Sequence, residues 1–321
     1  MVTKQSLRVV LAQPRGFCAG VERAIDIVEK SLDRFSAPVY VRHEIVHNKH
    51  VVDTLKKKGA VFVKDVDDVP TGATTVFSAH GVSRAVEKAG EKRGLKVIDA
   101  ACPLVTKVHR EGQRYSEKGY EIVLIGHAGH PEVEGTIGRI EGEVHLVSGV
   151  EDVAKISPEN PEKLAFITQT TLSVDDTRAI INALKKRFPE IVGPDTKDIC
   201  YATQNRQTAV RELAKQVDLI LVVGAKNSSN SNRLREIGDN LNVKSHLIDG
   251  AHQVDPAWFA DIECVGITAG ASAPESLVQD LVRWIDERFA MKLETLDGIE
   301  ENIHFRLPPE LTDRTDHRSN G

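Results

Sequence analysis

The chain has 321 residues, of which 40% are hydrophobic, 5% aromatic and 28% charged, with a formal net charge of −5. That length and apolar content suffice for one large domain or two to three small ones, each with its own core. No apolar run approaches the ~20 residues of a membrane-spanning helix, the first residues carry no secretory leader, and Lys and Arg are scattered, so a cytoplasmic protein binding neither membrane nor nucleic acid is expected.

LRVVLAQ, at 7–13, reads as a buried strand. PRGFCAGV, at 14–21, then sets Cys18 between glycines, ahead of Val21, Ala24, Ile25, Val28, Leu32 and Phe35 at helical spacing. A thiol kept for packing would sit inside an apolar run, whereas this one sits at a turn where backbone can approach a bulky ligand. The order strand, cysteine, helix returns at KVIDAAC and PLVTKVHREGQRYSEKG, where Pro103 suits the first turn and Gly119 the stop. It returns again at DIC and YATQNRQTAVRELAKQ, where Val210, Leu213, Ala214 and Val217 share a face but the strand before Cys200 is indistinct.

About 30 residues after each cysteine, behind a short apolar strand, stands a polar loop: VRHEIVHN with His47, GHAGHPEVEG with His130, and GAKNSSNSN with Asn230. About 60 to 70 residues after each stands a second: FSAHGVS with His80, ITQTTLS with Thr170, and ITAGASAP with Ser272. This period implies three α/β units, at 14–97, 98–193 and 194–290, the last joined by the strand at 7–13. A C-terminal extension at 291–321 follows, and its polar end from about residue 308 is expected to be poorly ordered. Ligands of open α/β sheets bind beyond the carboxyl ends of strands, so the units are expected to surround one central site with pseudo-threefold symmetry.

Three thiolates from three units suit a soft centre: zinc, copper(I) or an iron–sulfur cluster. Structural zinc usually takes four protein ligands, while three cysteines on a four-iron cluster leave one iron open. The competing reading is three inert core cysteines, and Cys264, inside ECVGIT, is read that way. GHAGHPEVEG packs His127, His130, Glu132 and Glu134 together as a metal-ligand cluster, a proton relay or a solvated connector. Glu132, nearest His130, is the candidate proton donor and Glu134 its competitor. Ser272 to Glu275 reads as a capping box opening ESLVQDLVRWIDERF, and KNSSNSN as the cap of the next helix, although exposed amides at a helix start also attract phosphate. Neither a Walker loop nor a dinucleotide fingerprint occurs, so electrons must come from outside.

Taken together, PRGFCAGVERA, FSAHGVS, DAACPLVTKVH, IGHAGHPEVEGT, TQTTLSVDDT, DICYATQNRQ, VGAKNSSNSNRL and TAGASAP resemble the LytB family of 4-hydroxy-3-methylbut-2-enyl diphosphate reductases, over about residues 7–307. The resemblance implies one oxygen-sensitive 4Fe-4S cluster per chain on Cys18, Cys102 and Cys200, with three α/β domains around it. It implies a small allylic diphosphate substrate, reductively dehydroxylated to isopentenyl and dimethylallyl diphosphates at the end of the methylerythritol phosphate pathway. A ferredoxin- or flavodoxin-type electron donor is implied as well. By the same resemblance His47 and His80 bind the diphosphate, with Ser228, Ser229, Asn230 and Ser272 as neutral phosphate ligands. His130 is a substrate-site histidine, Glu132 the proton donor, and Thr170 a hydroxyl that orients the substrate alcohol. Three other readings remain: a cluster-dependent dehydratase needing no net reduction, an iron–sulfur redox sensor or electron carrier needing only the cysteines, and a zinc hydrolase built on HAGHPE.

Overall fold

A computed structural model describes residues 4–312. All strand pairings between its named strands are parallel, which forces a long crossover, usually helical, between neighbours. The first strand, β1 (Ser6–Leu11), runs through the Cys18 turn into α1 (Ala19–Phe35). Next come β2 (Val39–Arg42), α2 (Lys49–Lys57), β3 (Ala60–Val63), β4 (Thr74–Phe77), α3 (Arg84–Lys92) and β5 (Lys96–Asp99), a sheet of order β3-β2-β4-β5. After α4 (Pro103–Glu117), β6 (Glu121–Ile125), α5 (Pro131–Ile137), β7 (Val144–Val147), β8 (Leu164–Thr168) and α6 (Val174–Arg187) form a second unit, ordered β7-β6-β8. After α7 (Tyr201–Leu213), the chain supplies β9 (Leu219–Val223), α8 (Ser229–Asn240), β10 (Lys244–Ile248), β11 (Cys264–Ala269), α9 (Glu275–Asp286) and β12 (Ala290–Thr295). With β1 these strands make a third sheet, β10-β9-β11-β1-β12.

Strands LAFIT, LILVV and CVGITA are buried along their whole length, as parallel strands must be when helices cover both faces. On α1 the buried stripe runs through Ala24, Ile27, Val28 and Leu32, whereas Phe35 at the last position is 39% exposed. Pro103 does occupy the first turn of α4, and Gly119 beyond its end takes φ +76°, donating its N–H to the Ser116 carbonyl. The indistinct strand before Cys200 reduces to a single bridge, Val192 against Ala165 beside β8.

The segment expected to be an extension from residue 291 instead begins inside β12, which pairs with β1 from Ala290 to Thr295. An edge strand needs pairing on one side only and tolerates mixed polarity, which is why AMKLET gives no strand signal. Nor is the chain loose from 308: a 3-10 turn at Pro309–Leu311 buries Leu311 in the core beneath α1. The rest of the expected tail, 313–321, lies outside the described residues. Among the described residues, no helix is long and apolar enough to cross a membrane.

Each cysteine stands at a junction. Cys18 follows β1, which lies beside β11; Cys102 follows β5, beside β4; Cys200 follows the Val192 bridge beside β8. Each then caps the helix that packs on the next unit, α1, α4 or α7. Three sheets linked head to tail in this way place three cysteines around one pseudo-threefold centre.

Candidate active site

Within each sheet the chain reverses direction of travel between two adjacent strands: β2 and β4, β6 and β8, β9 and β11. Such switch points open a crevice beyond the strand ends. The six polar loops leave from those six strands. The second loop of each pair is tied to a cysteine by one backbone hydrogen bond: Cys102 N–H to Ala79 O (2.9 Å), Cys200 N–H to Thr170 O (3.0 Å) and Cys18 N–H to Ala271 O (3.3 Å). The repeat in the sequence is thus a repeat in the hydrogen bonding.

All twelve residues singled out above line one central cavity of about 700 Å³, mouth included: the three cysteines, His47, His80, His130, Glu132, Thr170, Ser228, Ser229, Asn230 and Ser272. Cys264 does not; it opens β11, and Arg8 Nε donates to its sulfur at 3.2 Å. His127 turns instead toward Arg233, and Glu134 lines a separate small cleft with Arg42 and His43. Ser272 is no capping residue. Pro274 caps α9, and the Ser272 hydroxyl donates to His47 O at 3.0 Å, joining a loop of the third unit to one of the first.

Burial raises all three cysteine thiols, Cys102 to about 12 and Cys200 to about 11. The sulfurs feel one another, Cys102 being raised further by Cys18 and Cys200. Three apposed thiols in a buried site are stable as thiolates only with a cation between them, so metal loading must release protons. Two observations favour a body larger than one ion. A zinc ion holding three sulfurs at 2.3 Å needs them about 3.8 Å apart. Among the described residues the trio with ligand atoms within 4.8 Å of one another is instead Glu121, Glu143 and His145 on the second sheet, where Glu121 and His145 already pair at 3.0 Å. Then there is Gly20, on whose missing side chain the space between thiols depends: a Cβ there would stand 2.7 Å from Cys102 Sγ and 3.9 Å from Cys18 Sγ. Gly20→Ala should raise helix propensity by about 1 kcal/mol yet remove most of the metal that the three thiols take up. Metal content beside a thermal melt checks this, and a variant with the parent's full metal content would refute it.

In the cavity wall three imidazoles from three strand ends converge, with ring centroids 4.2 Å (His47–His80), 5.4 Å (His47–His130) and 5.8 Å (His80–His130) apart. Burial, then neighbouring imidazoles, pushes His80 well below the ordinary range and His130 to about 3, so both are neutral donor–acceptors at pH 7. His47 Nδ1 lies 3.3 Å from Glu44 Oε2, which also accepts from Asn227 Nδ2 at 2.9 Å. His47 Nε2 and both polar atoms of the Asn230 side chain are buried without a protein partner. Native proteins leave few such atoms unpaired, and here they line one cavity. Ser228 caps α8, its hydroxyl accepting from Ser231 N–H, so the free amides of that helix start face the same space as the histidines. Among the described residues, no Lys or Arg lines the cavity. The result is an anion cradle of neutral directed donors.

Deeper in, His130 caps α5 through Nδ1, which accepts from Glu132 N–H at 3.2 Å. That brings the Glu132 side chain inward, 3% exposed, where Thr170 N–H (2.7 Å) and Thr170 Oγ1 (3.0 Å) each donate to one carboxylate oxygen. Burial wins over those two bonds and lifts the carboxyl to about 7. An acid poised at neutrality beside a metal-suited site is chemically a proton donor.

One element escaped the sequence reading. Arg206, fully buried on α7, donates to Gly16 O (3.0 and 2.8 Å), Phe17 O (3.0 Å) and Ala202 O (2.9 Å) and forks onto Glu301 (3.1 Å). It therefore holds the turn that carries Cys18. Its signal was present in YATQNRQ, but no sequence rule separates it from Arg211, the half-buried arginine on the same helix.

The LytB protein family model matches residues 9–286 of the chain. The chain is 62% identical to the 4-hydroxy-3-methylbut-2-enyl diphosphate reductase of Zymomonas mobilis subsp. mobilis over 95% of its own length and 90% of that protein's. Against the reductase of the same name from Aromatoleum aromaticum it is 58% identical, over 94% and 97%. Among solved structures, the E-1-hydroxy-2-methyl-but-2-enyl-4-diphosphate reductase from Plasmodium falciparum superposes with a TM-score of 0.92 at 40% identity, covering 96% of this chain and 97% of that one. A second, described as (E)-4-hydroxy-3-methyl-but-2-enyl diphosphate reductase, the terminal enzyme of the non-mevalonate pathway, gives 0.63 at 34% identity over 88% and 99%.

Proposed function

The chain belongs to the LytB protein family, and on that premise we propose that its central cavity reductively removes the allylic hydroxyl of 4-hydroxy-3-methylbut-2-enyl diphosphate, yielding isopentenyl and dimethylallyl diphosphates. The observation that carries the reading is the convergence of three thiols, an anion cradle and one acid of pKa about 7 on a single cavity. In balance, the C–O bond breaks, two electrons and two protons enter, and water leaves.

The residues divide the work. Cys18, Cys102 and Cys200 would hold a four-iron, four-sulfur cluster, one per chain, which supplies Lewis acidity and one-electron chemistry when bound. His47, His80, Ser228, Ser229, Asn230 and Ser272 hold the diphosphate through hydrogen bonds in a cavity where Ser228, Asn230 and Ser272 are buried, and directed donors there are worth far more than in bulk solvent. His130 closes the cradle toward the hydroxyl end. Thr170 orients that hydroxyl and the Glu132 carboxyl together, and Glu132 gives the proton with which the oxygen departs. Protonation of the remaining three-carbon allylic unit at either end accounts for two products, with the diphosphate as the second proton's source. Electrons arrive from a separate carrier of the ferredoxin or flavodoxin kind, and reduced free thiols fit a cytoplasmic setting.

Purified without air, the protein should contain about four iron and four labile sulfide per chain. Turnover should require reductant strictly. Conversion of the hydroxylated diphosphate with no electron donor would overturn the reductase reading in favour of a dehydratase. Zinc without sulfide would exclude the cluster.

A further inference from the structure

A basic groove of about 1080 Å³, open solvent included, lies between α4 and residues 193–197. Lys107, Arg110 and Arg114 border it from α4 and Lys197 from the opposite side, all four exposed. Glu111 is the one carboxylate among its lining residues and lies 3.6 Å from Arg114. Lys107 holds the buried Asp198 at 3.1 Å, whereas Arg110 and Lys197 have no ion-pair partner among the described residues. In a chain of net charge −5 this is a local reversal of sign.

The groove also lies beside two of the three cysteines. Pro103, the residue after Cys102, lines it, and Lys197 stands shortly before Cys200. At 1.5 Å of rise per residue, Lys107 and Arg110 sit roughly 8 and 12 Å along the α4 axis from Cys102. The cavity lined by the histidines and phosphate-binding loops, by contrast, must stay open to substrate. Electrons therefore need an approach that substrate does not use. The groove offers one.

We propose that this groove is the docking surface of a small acidic electron-transfer protein, an inference that rests on the reductase reading above. Complementary charge steers such a partner and speeds encounter more than it tightens the complex, which suits a carrier that must leave after each visit. Two carrier molecules, each oxidised by one electron, supply one turnover.

The test uses cluster-loaded enzyme and the double variant Arg110→Glu/Lys197→Glu, with Lys107 left in place because it pairs with buried Asp198. Turnover is measured with a reduced acidic [2Fe-2S] ferredoxin at several salt concentrations, and separately with reduced methyl viologen. The KM for ferredoxin should rise at least tenfold and its dependence on salt flatten, while the viologen-driven rate stays within twofold of the parent. An unchanged KM for ferredoxin overturns the proposal, and so does an equal loss with both reductants. So too does competition for the groove by a duplex oligonucleotide at physiological salt. Failure of the parent enzyme to turn over with viologen would strike the reductase reading itself and is seen before any variant is made.

Discussion

Glu132→Gln is expected to lower turnover by about 10²- to 10⁴-fold, the usual share of a positioned general acid, with iron and sulfide content unchanged. Glutamine keeps the shape and still accepts the Thr170 N–H, so cavity and cradle survive; only the proton is gone. The parent's pH profile should carry the same signature. With the carboxyl at about 7, the donor is protonated below neutrality and charged above it, so turnover falls as pH rises through 7. In the glutamine variant that limb disappears from whatever rate remains.

Stability supplies a second readout with the opposite sign. The folded protein retains a proton on Glu132 between the ordinary glutamate value of 4.5 and about 7, while the unfolded chain releases it. Raising pH through that window therefore destabilises the fold, by up to about 3 kcal/mol from this one group. Glu132→Gln should accordingly be more resistant to unfolding than the parent at pH 8 and no different below the ordinary glutamate value of 4.5. A variant that loses activity and stability together at pH 8 would mean that Glu132 serves the fold and not the reaction.

Why Glu132 and not Glu134 faces inward could be read from the chain once His130 is taken as the cap of α5. Two residues along a helix turn a side chain through about 200°, so the two carboxylates must lie on opposite faces. The cysteines and polar loops were legible for a related reason: polar residues directly after apolar strands, at a recurring offset, have no packing explanation. Ser272 was read one step too locally. Its spacing to Glu275 matches a capping box, but tertiary contact with His47 overrode that local option. β12 and the missing strand before Cys200 were illegible because one edge strand has mixed polarity and the other position keeps a single bridge.

Arg206 marks the deepest limit of such reading, and its replacement is the second large effect expected. Arg206→Met leaves the Glu301 carboxylate, whose side chain is 12% exposed, with Asn205 Nδ2 still donating at 2.9 Å but without its charge partner, and breaking a buried pair costs about 3–5 kcal/mol. It also frees the Gly16 and Phe17 carbonyls and removes the positive charge that partly offsets the burial-raised pKa of Cys18. Loss of stability and loss of iron are thus both expected, and a second substitution separates them. In Arg206→Met/Glu301→Leu the stranded charge is gone, so unfolding should return near the parent value, because an apolar pair can replace a buried ion pair at little cost. In that double variant the Cys18 turn keeps its backbone bonds to Ala269 and Ala271 but loses the guanidinium that gathers the Gly16 and Phe17 carbonyls, so iron content and turnover should stay low. Should the double variant recover iron along with stability, Arg206 would be a structural residue only; should Arg206→Met alone keep both, the clamp on Cys18 would be no clamp at all.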